Sequence, residues 1–231
     1  MSQSKPKLTL YGHMGPNPLK VAMVLEELGL EFETVEIDMR QEEHKKPDFL
    51  KLNPNGRLPA LVDHSNNGFT IWESDAIILY IVEKYDPEHK LSVAGANEKF
   101  TLIQWLFFQA SGQGPYFGQA FWFMRYHPER IPSAVERYQK EILRVFGVLE
   151  SVLSKQQWLV GEKLTVADIS FVIWNETAVA YAGLDQLDGV DIEKQFPAFH
   201  KWHQKLRARP AIAKYIEKQT QAVAQTAAQA K

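Results

Sequence analysis

KLTLYGHMGPNPLKVAMVLEELGLEFETVEID, residues 7–38, changes its apolar period twice. Lys7–Tyr11 alternates, as a half-buried strand does. Asn17–Leu28 then places Val21, Val24, Leu25 and Leu28 at helical spacing, and Gly29 closes the helix. Glu33–Asp38 alternates again. A strand, a helix and a second strand in this order predict a parallel pair joined by a right-handed crossover.

The pattern continues outward. Pro59–Val62 and Phe69–Trp72 are short strands on either side of the turn-rich Asp63–Gly68, which makes them a hairpin. Ser74–Tyr85 is a helix with Ile77, Ile78, Ile81 and Val82 apolar. Strand, helix, strand, irregular segment, hairpin and helix is the thioredoxin-like order. Beyond Asp86 strand signals stop. Glu98–Ala110 is an apolar helix that Gly112, Gly114 and Pro115 should bend or break. Ala134–Leu153, Thr165–Tyr181 and Phe196–Arg207 are amphipathic helices. The expected organisation is an α/β thioredoxin-like domain over residues 1–88 and an all-α domain over 95–231, with Asp86–Asn97 as the linker. The Ala- and Gln-rich Gln219–Lys231 is expected to fray.

Composition narrows the chemistry. Lys plus Arg is 26 and Asp plus Glu is 28 in 231 residues, a net charge of −2 that points to neither nucleic acid nor an anionic membrane. There is no cysteine, so the chain has no disulfide, no thiolate metal site and no cysteine nucleophile of its own. Any thiol chemistry must use a thiol brought from outside. No metal is expected. Ile103–Met124 is apolar but interrupted by Gln104, Gln109, Ser111, Gln113, Pro115 and Gln119, so no membrane span is expected there. Met1–Lys7 lacks the apolar core of a signal peptide, and a cytoplasmic location is expected.

Four segments could carry chemistry. The turn Gly12–Pro18 leads into the first helix, whose N-terminus favours a negative charge, a thiolate included. Asn17 is the best-placed donor there, with Tyr11 just before it; an ordinary N-cap followed by Pro is the structural reading of the same residue. His13 reads as a surface or packing residue. In Asn53–Leu61 (NPNGRLPAL), Pro59 opens a strand to which it cannot donate. Either a cis bond turns the Leu58 backbone outward to pair with an extended peptide, or Pro59 is a trans edge residue. Glu73 and Ser74 start a helix: free N–H groups and a hydroxyl could hold a carboxylate, with Glu73 holding an ammonium, or Ser74 is a plain N-cap. Thr165 and Asp168 form a variant capping box and are read as structural.

Together and in order, these segments resemble glutathione transferases. NPNGRLPAL is similar to the family's cis-proline loop, WESDAI to its γ-glutamyl motif, and GEKLTVADIS to the capping box of its helical domain. The likeness runs from about Lys7 to Tyr215. Gly15-Pro16-Asn17, EEHKKPDF, WLFFQASGQGPYFGQAF and IPSAVERYQKE resemble the fungal nitrogen-regulator-like group and the bacterial Nu class. In that group an Asn near the thiol replaces the usual hydroxyl, which supports Asn17. The resemblance further implies that His44 and Arg57 reach the glycine end of glutathione. Leu58 would pair with its cysteinyl unit, and Glu73 and Ser74 would hold the γ-glutamyl group. Gln109 would reach across a homodimer interface, Arg137 would lie on the helical side of the cleft, and Tyr116, Phe117, Phe121 and Trp122 would be candidates for the second-substrate wall. The Nu-class pattern often has Thr where Gly15 stands, so that hydroxyl is missing here. The implied activity is glutathione-dependent disulfide reduction and peroxide reduction, with possible conjugation of a small electrophile. The rival reading is a non-catalytic glutathione-binding module that sequesters a protein partner.

Overall fold

A computed structural model describes residues 7–184, 187 and 189–229. These fall into two compact units. The first contains the chain up to Leu91 together with the segment from Ala211, and the second is Ser92–Pro210.

The first unit is built on a four-stranded sheet ordered β2-β1-β3-β4. Its strands are β1 (Leu8–Gly12), β2 (Phe32–Glu36), β3 (Ala60–Asp63) and β4 (Phe69–Trp72). The β1–β2 pair is parallel, as the intervening helix α1 (Pro16–Glu27) requires, and β1–β3 and β3–β4 are antiparallel. Strand alternation sorts the faces. Leu8 and Leu10 are buried with Leu25, Ile77 and Ile78 of α1 and α3 (Ser74–Tyr85). Tyr11 turns the other way, packing with Ile37, Ala60 and Phe49 of the short α2 (Pro47–Leu50). Asp63, which ends β3, accepts hydrogen bonds from Ser65, Tyr80, Tyr85 and Lys84, and so ties the hairpin to α3.

The second unit is helical: α4 (Ala96–Phe108), α5 (Gly114–Phe121), α6 (Pro132–Leu153), α7 (Val166–Tyr181), α8 (Ile192–Gln195) and α9 (Pro197–Arg207). Its core is aromatic. Phe146 stacks on Phe199 with 4.4 Å between ring centroids, and Phe117 meets Phe146 edge-on. The glycines and proline after α4 do not break the helical path. The chain runs through a π-helical turn, Gln109–Gln113, directly into α5, and a second such turn follows at Trp122–Tyr126. A π turn absorbs an extra residue without ending the helix, and Pro115 follows it directly as the second residue of α5.

The end of the chain differs most from expectation. The segment expected to fray belongs to α10 (Pro210–Gln229), and from Ala211 onward it is part of the first unit rather than the helical one. Ala and Gln are good helix formers. Lys214 pairs with Glu26 of α1 at 2.7 Å, and Tyr215 and Gln219 are buried. Residues 230–231 of the expected frayed tail lie outside the described residues.

Candidate functional site

The sheet register brings the candidate segments to one end. Tyr11 pairs with Ala60, and Ala60 with Trp72. The exits of β1 and β4 and the entry of β3 therefore lie side by side. Gly12–Asn17, Leu58–Pro59 and Glu73–Ser74 follow or precede these three residues directly.

Two helices start here without side-chain caps. The N-cap of α1 is Gly15, which makes no side-chain capping bond, and Pro16 is its first residue. Asn17 is therefore the second helical residue and not the N-cap, a correction to its structural reading. Pro18, inside the helix beside Pro16, is tolerated because the first turn has no intrahelical N–H partners to lose. The N-cap of α3 is Glu73, again with no side-chain bond, so Ser74 is the first helical residue rather than the cap. Glu73 has φ 68° and ψ 114°. A non-glycine residue there costs roughly 1–3 kcal/mol and persists where the surroundings over-determine it. Ser74 is buried while Glu73 is exposed. The Tyr11 ring meets Phe49 of α2 edge-on, with 6.4 Å between ring centroids.

The Leu58–Pro59 bond is cis, the first of the two alternatives open from sequence. Its loop is braced internally: Asn53 Nδ2 donates to the Arg57 carbonyl at 2.7 Å, Asn53 Oδ1 accepts from Asn55 N–H, and Lys45 Nζ donates to the Gly56 carbonyl at 2.8 Å. Gly56 has φ +59°, and a Cβ there would lie 2.9 Å from the His44 carbonyl, so the loop and the His44 segment are fitted to each other. His44 is buried in a single 3-10 turn, Glu43–Lys45, and its Nδ1 has no hydrogen-bond partner among the described residues. Arg57 is exposed, and Leu58 is half-buried.

Beneath the two helix starts, Lys20 Nζ of α1 donates to Asp75 Oδ1 of α3 at 2.9 Å, and the pair is buried. Burial pushes the ammonium pKa down and the carboxyl pKa up, and each partner opposes the other's shift. Asp75 Oδ2 is buried with no hydrogen-bond partner among the described residues. The sequence reading missed this pair and the Asn53 brace. Lys20 lies within a solvent-style helical pattern, and only the tertiary fold buries it. A cavity of about 210 Å³ adjoins the β1–α1 turn, lined by Gly12, His13, Met14, Thr34, Glu36, Tyr215 and others. Sequence gave no sign of it, since α10 supplies part of the wall.

In the helical unit the expected positions separate. Gln109 is 1% exposed, and its Nε2 donates to Gln113 Oε1 at 2.9 Å. Gln113 in turn donates to Asn175 and to the Phe171 carbonyl. Gln109 is thus an interior residue, and its amide is not on a surface from which to reach a partner's ligand. Phe117 is wholly buried in the aromatic core and is not a wall residue. Tyr116 and Phe121 are half-buried, against Tyr138 and Tyr181 respectively. Trp122 is 47% exposed and Arg137 is exposed. Thr165 and Asp168 form the expected capping box. The described residues contain no group of three or more metal-ligating side chains and no helix long and apolar enough to cross a membrane.

Comparison with known proteins agrees with this architecture. Residues 6–83 match the family described as glutathione S-transferase, N-terminal domain, and residues 119–219 match glutathione S-transferase, C-terminal domain. The chain is 47% identical to glutathione S-transferase 1 of Schizosaccharomyces pombe, over 94% of this chain and 98% of that protein. The chain belongs to the glutathione S-transferase family. Among solved structures, the glutathione transferase URE2P5 from Phanerochaete chrysosporium superposes with a TM-score of 0.92 at 60% identity, covering 97% of this chain and 99% of that one. URE2P6 from the same fungus, crystallised with oxidized glutathione, is 58% identical with a TM-score of 0.88, covering 94% and 97%.

Proposed function

We propose that the first unit binds glutathione across the two uncapped helix starts, and that the bound thiolate reduces disulfides and hydroperoxides. The observation that carries this reading is the register Tyr11–Ala60–Trp72, which sets Asn17, Leu58 and Glu73–Ser74 at one sheet end. The α3 start offers N–H groups and the Ser74 hydroxyl to the γ-glutamyl carboxylate, and Glu73 accepts from its ammonium. Leu58 presents its backbone to the cysteinyl unit, while His44 and Arg57 face the glycine carboxylate. The α1 N-terminus and the Asn17 amide stabilise the thiolate. The protein supplies position and fixed dipoles, not a covalent nucleophile.

The thiolate attacks one sulfur of a mixed disulfide, forming a new S–S bond and expelling the other sulfur as a thiolate. With a peroxide it attacks the terminal oxygen, breaks the O–O bond and becomes a sulfenic acid, and a second glutathione then converts it to the disulfide with loss of water. With no cysteine in the chain, both oxidising equivalents leave on two glutathione molecules. Conjugation of an electrophilic carbon uses the same thiolate. The cavity beside Gly12 and Met14 offers room for a group carried on the sulfur. A homodimer is proposed through α4, where Phe100 and Phe107, seven residues apart on one face, are 73% and 67% exposed.

Calorimetry with glutathione, followed by turnover of a glutathionylated disulfide, cumene hydroperoxide and chlorodinitrobenzene, tests the reading. Turnover of the first two above the third is expected. Tight binding with no turnover would favour the sequestering module, and no binding would refute the site.

A further inference from the structure

Gly15 has no backbone reason to be glycine. Its φ of −82° and ψ of 162° are ordinary extended values open to any residue. Its constraint is a side chain. A Cβ built on Gly15 would stand 2.0 Å from Cε1, 2.7 Å from Nδ1 and 3.2 Å from Nε2 of His13. The imidazole therefore fills the volume that any side chain at position 15 would use, at the N-cap of α1. The ring is fixed there, because the Gly15 N–H donates to His13 Nδ1 at 2.6 Å. An Nδ1 that accepts carries no proton, so the proton of the neutral ring is on Nε2. Burial lowers the ring's pKa, and the charge of neighbouring His44 lowers it further, which keeps the ring neutral near pH 7. His13 Nε2 makes no hydrogen bond among the described residues and is not sealed in the interior. The result is a fixed side-chain donor with no partner, at the helix start where a thiolate is favoured.

We propose that His13 is a second thiolate donor, its Nε2–H standing in for the hydroxyl or thiol that a side chain at position 15 would carry. The assignment rests on reading this end of the sheet as the glutathione site. It also explains why position 15 is glycine: the ring and a Cβ there exclude each other. The His13 ring gives back a donor in place of the Gly15 N–H that it occupies.

The test uses four variants of the full chain: His13→Ala, Gly15→Ala, His13→Ala/Gly15→Ala and His13→Ala/Gly15→Ser. Each is checked for folding by thermal melting and for glutathione affinity by calorimetry, and the bound thiol is titrated by its ultraviolet absorbance. His13→Ala should raise the pKa of the bound thiol by about one unit and lower turnover at pH 7 about threefold, with affinity nearly kept. Gly15→Ala should do the same by evicting the ring, and the double Ala variant should be no worse than either single one. His13→Ala/Gly15→Ser, with a hydroxyl in the vacated space, should recover most of the loss. An unchanged thiol pKa in His13→Ala, or additive effects of the two alanines, overturns the proposal while leaving the glutathione site intact. Absence of glutathione binding by the wild-type protein overturns the site and the proposal together. Should His13→Ala not fold, Gly15→Ala alone decides between eviction with a raised pKa and an unchanged thiol.

Discussion

The starts of α1 and α7 solve one physical problem in opposite ways. Every helix leaves its first N–H groups without intrahelical partners. At α7 the Thr165 side chain accepts from the Asp168 N–H of the first turn, and the Asp168 carboxylate in return ties this start to its surroundings. Asp168, fully buried, accepts from Leu159 N–H at 2.9 Å, Thr165 N–H at 2.9 Å, the Thr165 hydroxyl at 3.0 Å and Trp202 Nε1 at 2.9 Å. At α1 the N-cap is a glycine, which has no side chain to cap the helix and whose own N–H donates to His13 Nδ1, and the adjoining side chains are Asn17 and His13. The α3 start is like α1, with Glu73 held at positive φ. A closed helix start serves stability. An open one keeps donors for a ligand and relies on packing elsewhere, here the buried Lys20–Asp75 pair that joins α1 to α3.

Breaking the closed start should have the largest effect. Asp168→Ala leaves buried N–H, hydroxyl and indole donors unpaired. It should cost on the order of 3–5 kcal/mol of stability. Chemical denaturation reads this, and the fraction that stays folded should keep its glutathione affinity. At the α3 start the balance inverts. Ser74→Ala should weaken glutathione binding by about 1.5–3 kcal/mol, the loss of a hydrogen bond to a charged group, with little change in melting temperature. Equal affinities by calorimetry would return Ser74 to a structural role.

Asn17→Ala should slow turnover at pH 7 by about three- to twenty-fold, through a bound-thiol pKa raised by about one to two units. The N-cap penalty that the sequence suggested should be absent, because Gly15 holds that position. A lowered melting temperature with unchanged turnover would reverse this assignment. The smallest effect concerns acid. Burial raises the Asp63 carboxyl pKa, but hydrogen bonds from Tyr80, Tyr85, Ser65 and Lys84 overcome it and hold the group far below its usual value. A depressed folded-state pKa stabilises above the unfolded value of about 3.9 and is lost as pH falls through the folded value. Asp63→Asn should therefore narrow the stability gap between wild type and variant only below about pH 4, as thermal melts at stepped pH would show.

The same contrast governs what the sequence discloses. Capping boxes, strand alternation and helical spacing are local, so the sheet order, the main helices and Thr165–Asp168 were legible. The Tyr11–Ala60–Trp72 register was legible only as a consequence of the fold. Features made by distant residues were not: the Lys20–Asp75 pair, the Asn53 brace, the burial of Gln109 under Gln113, and α10 returning to Glu26. The dependence of Gly15 on the ring of His13, two residues away, has no signature in composition or period and appears only when a Cβ is placed there.

The central claim is that the open start of α1 stabilises a bound glutathione thiolate. Ultraviolet titration of glutathione on the saturated wild-type protein tests it most directly. A free thiol titrates near 8.5, and helix N-termini and nearby donors lower that value. The account predicts a bound thiol pKa about two units lower, near 6.5. A bound thiol that titrates at the free value would contradict it.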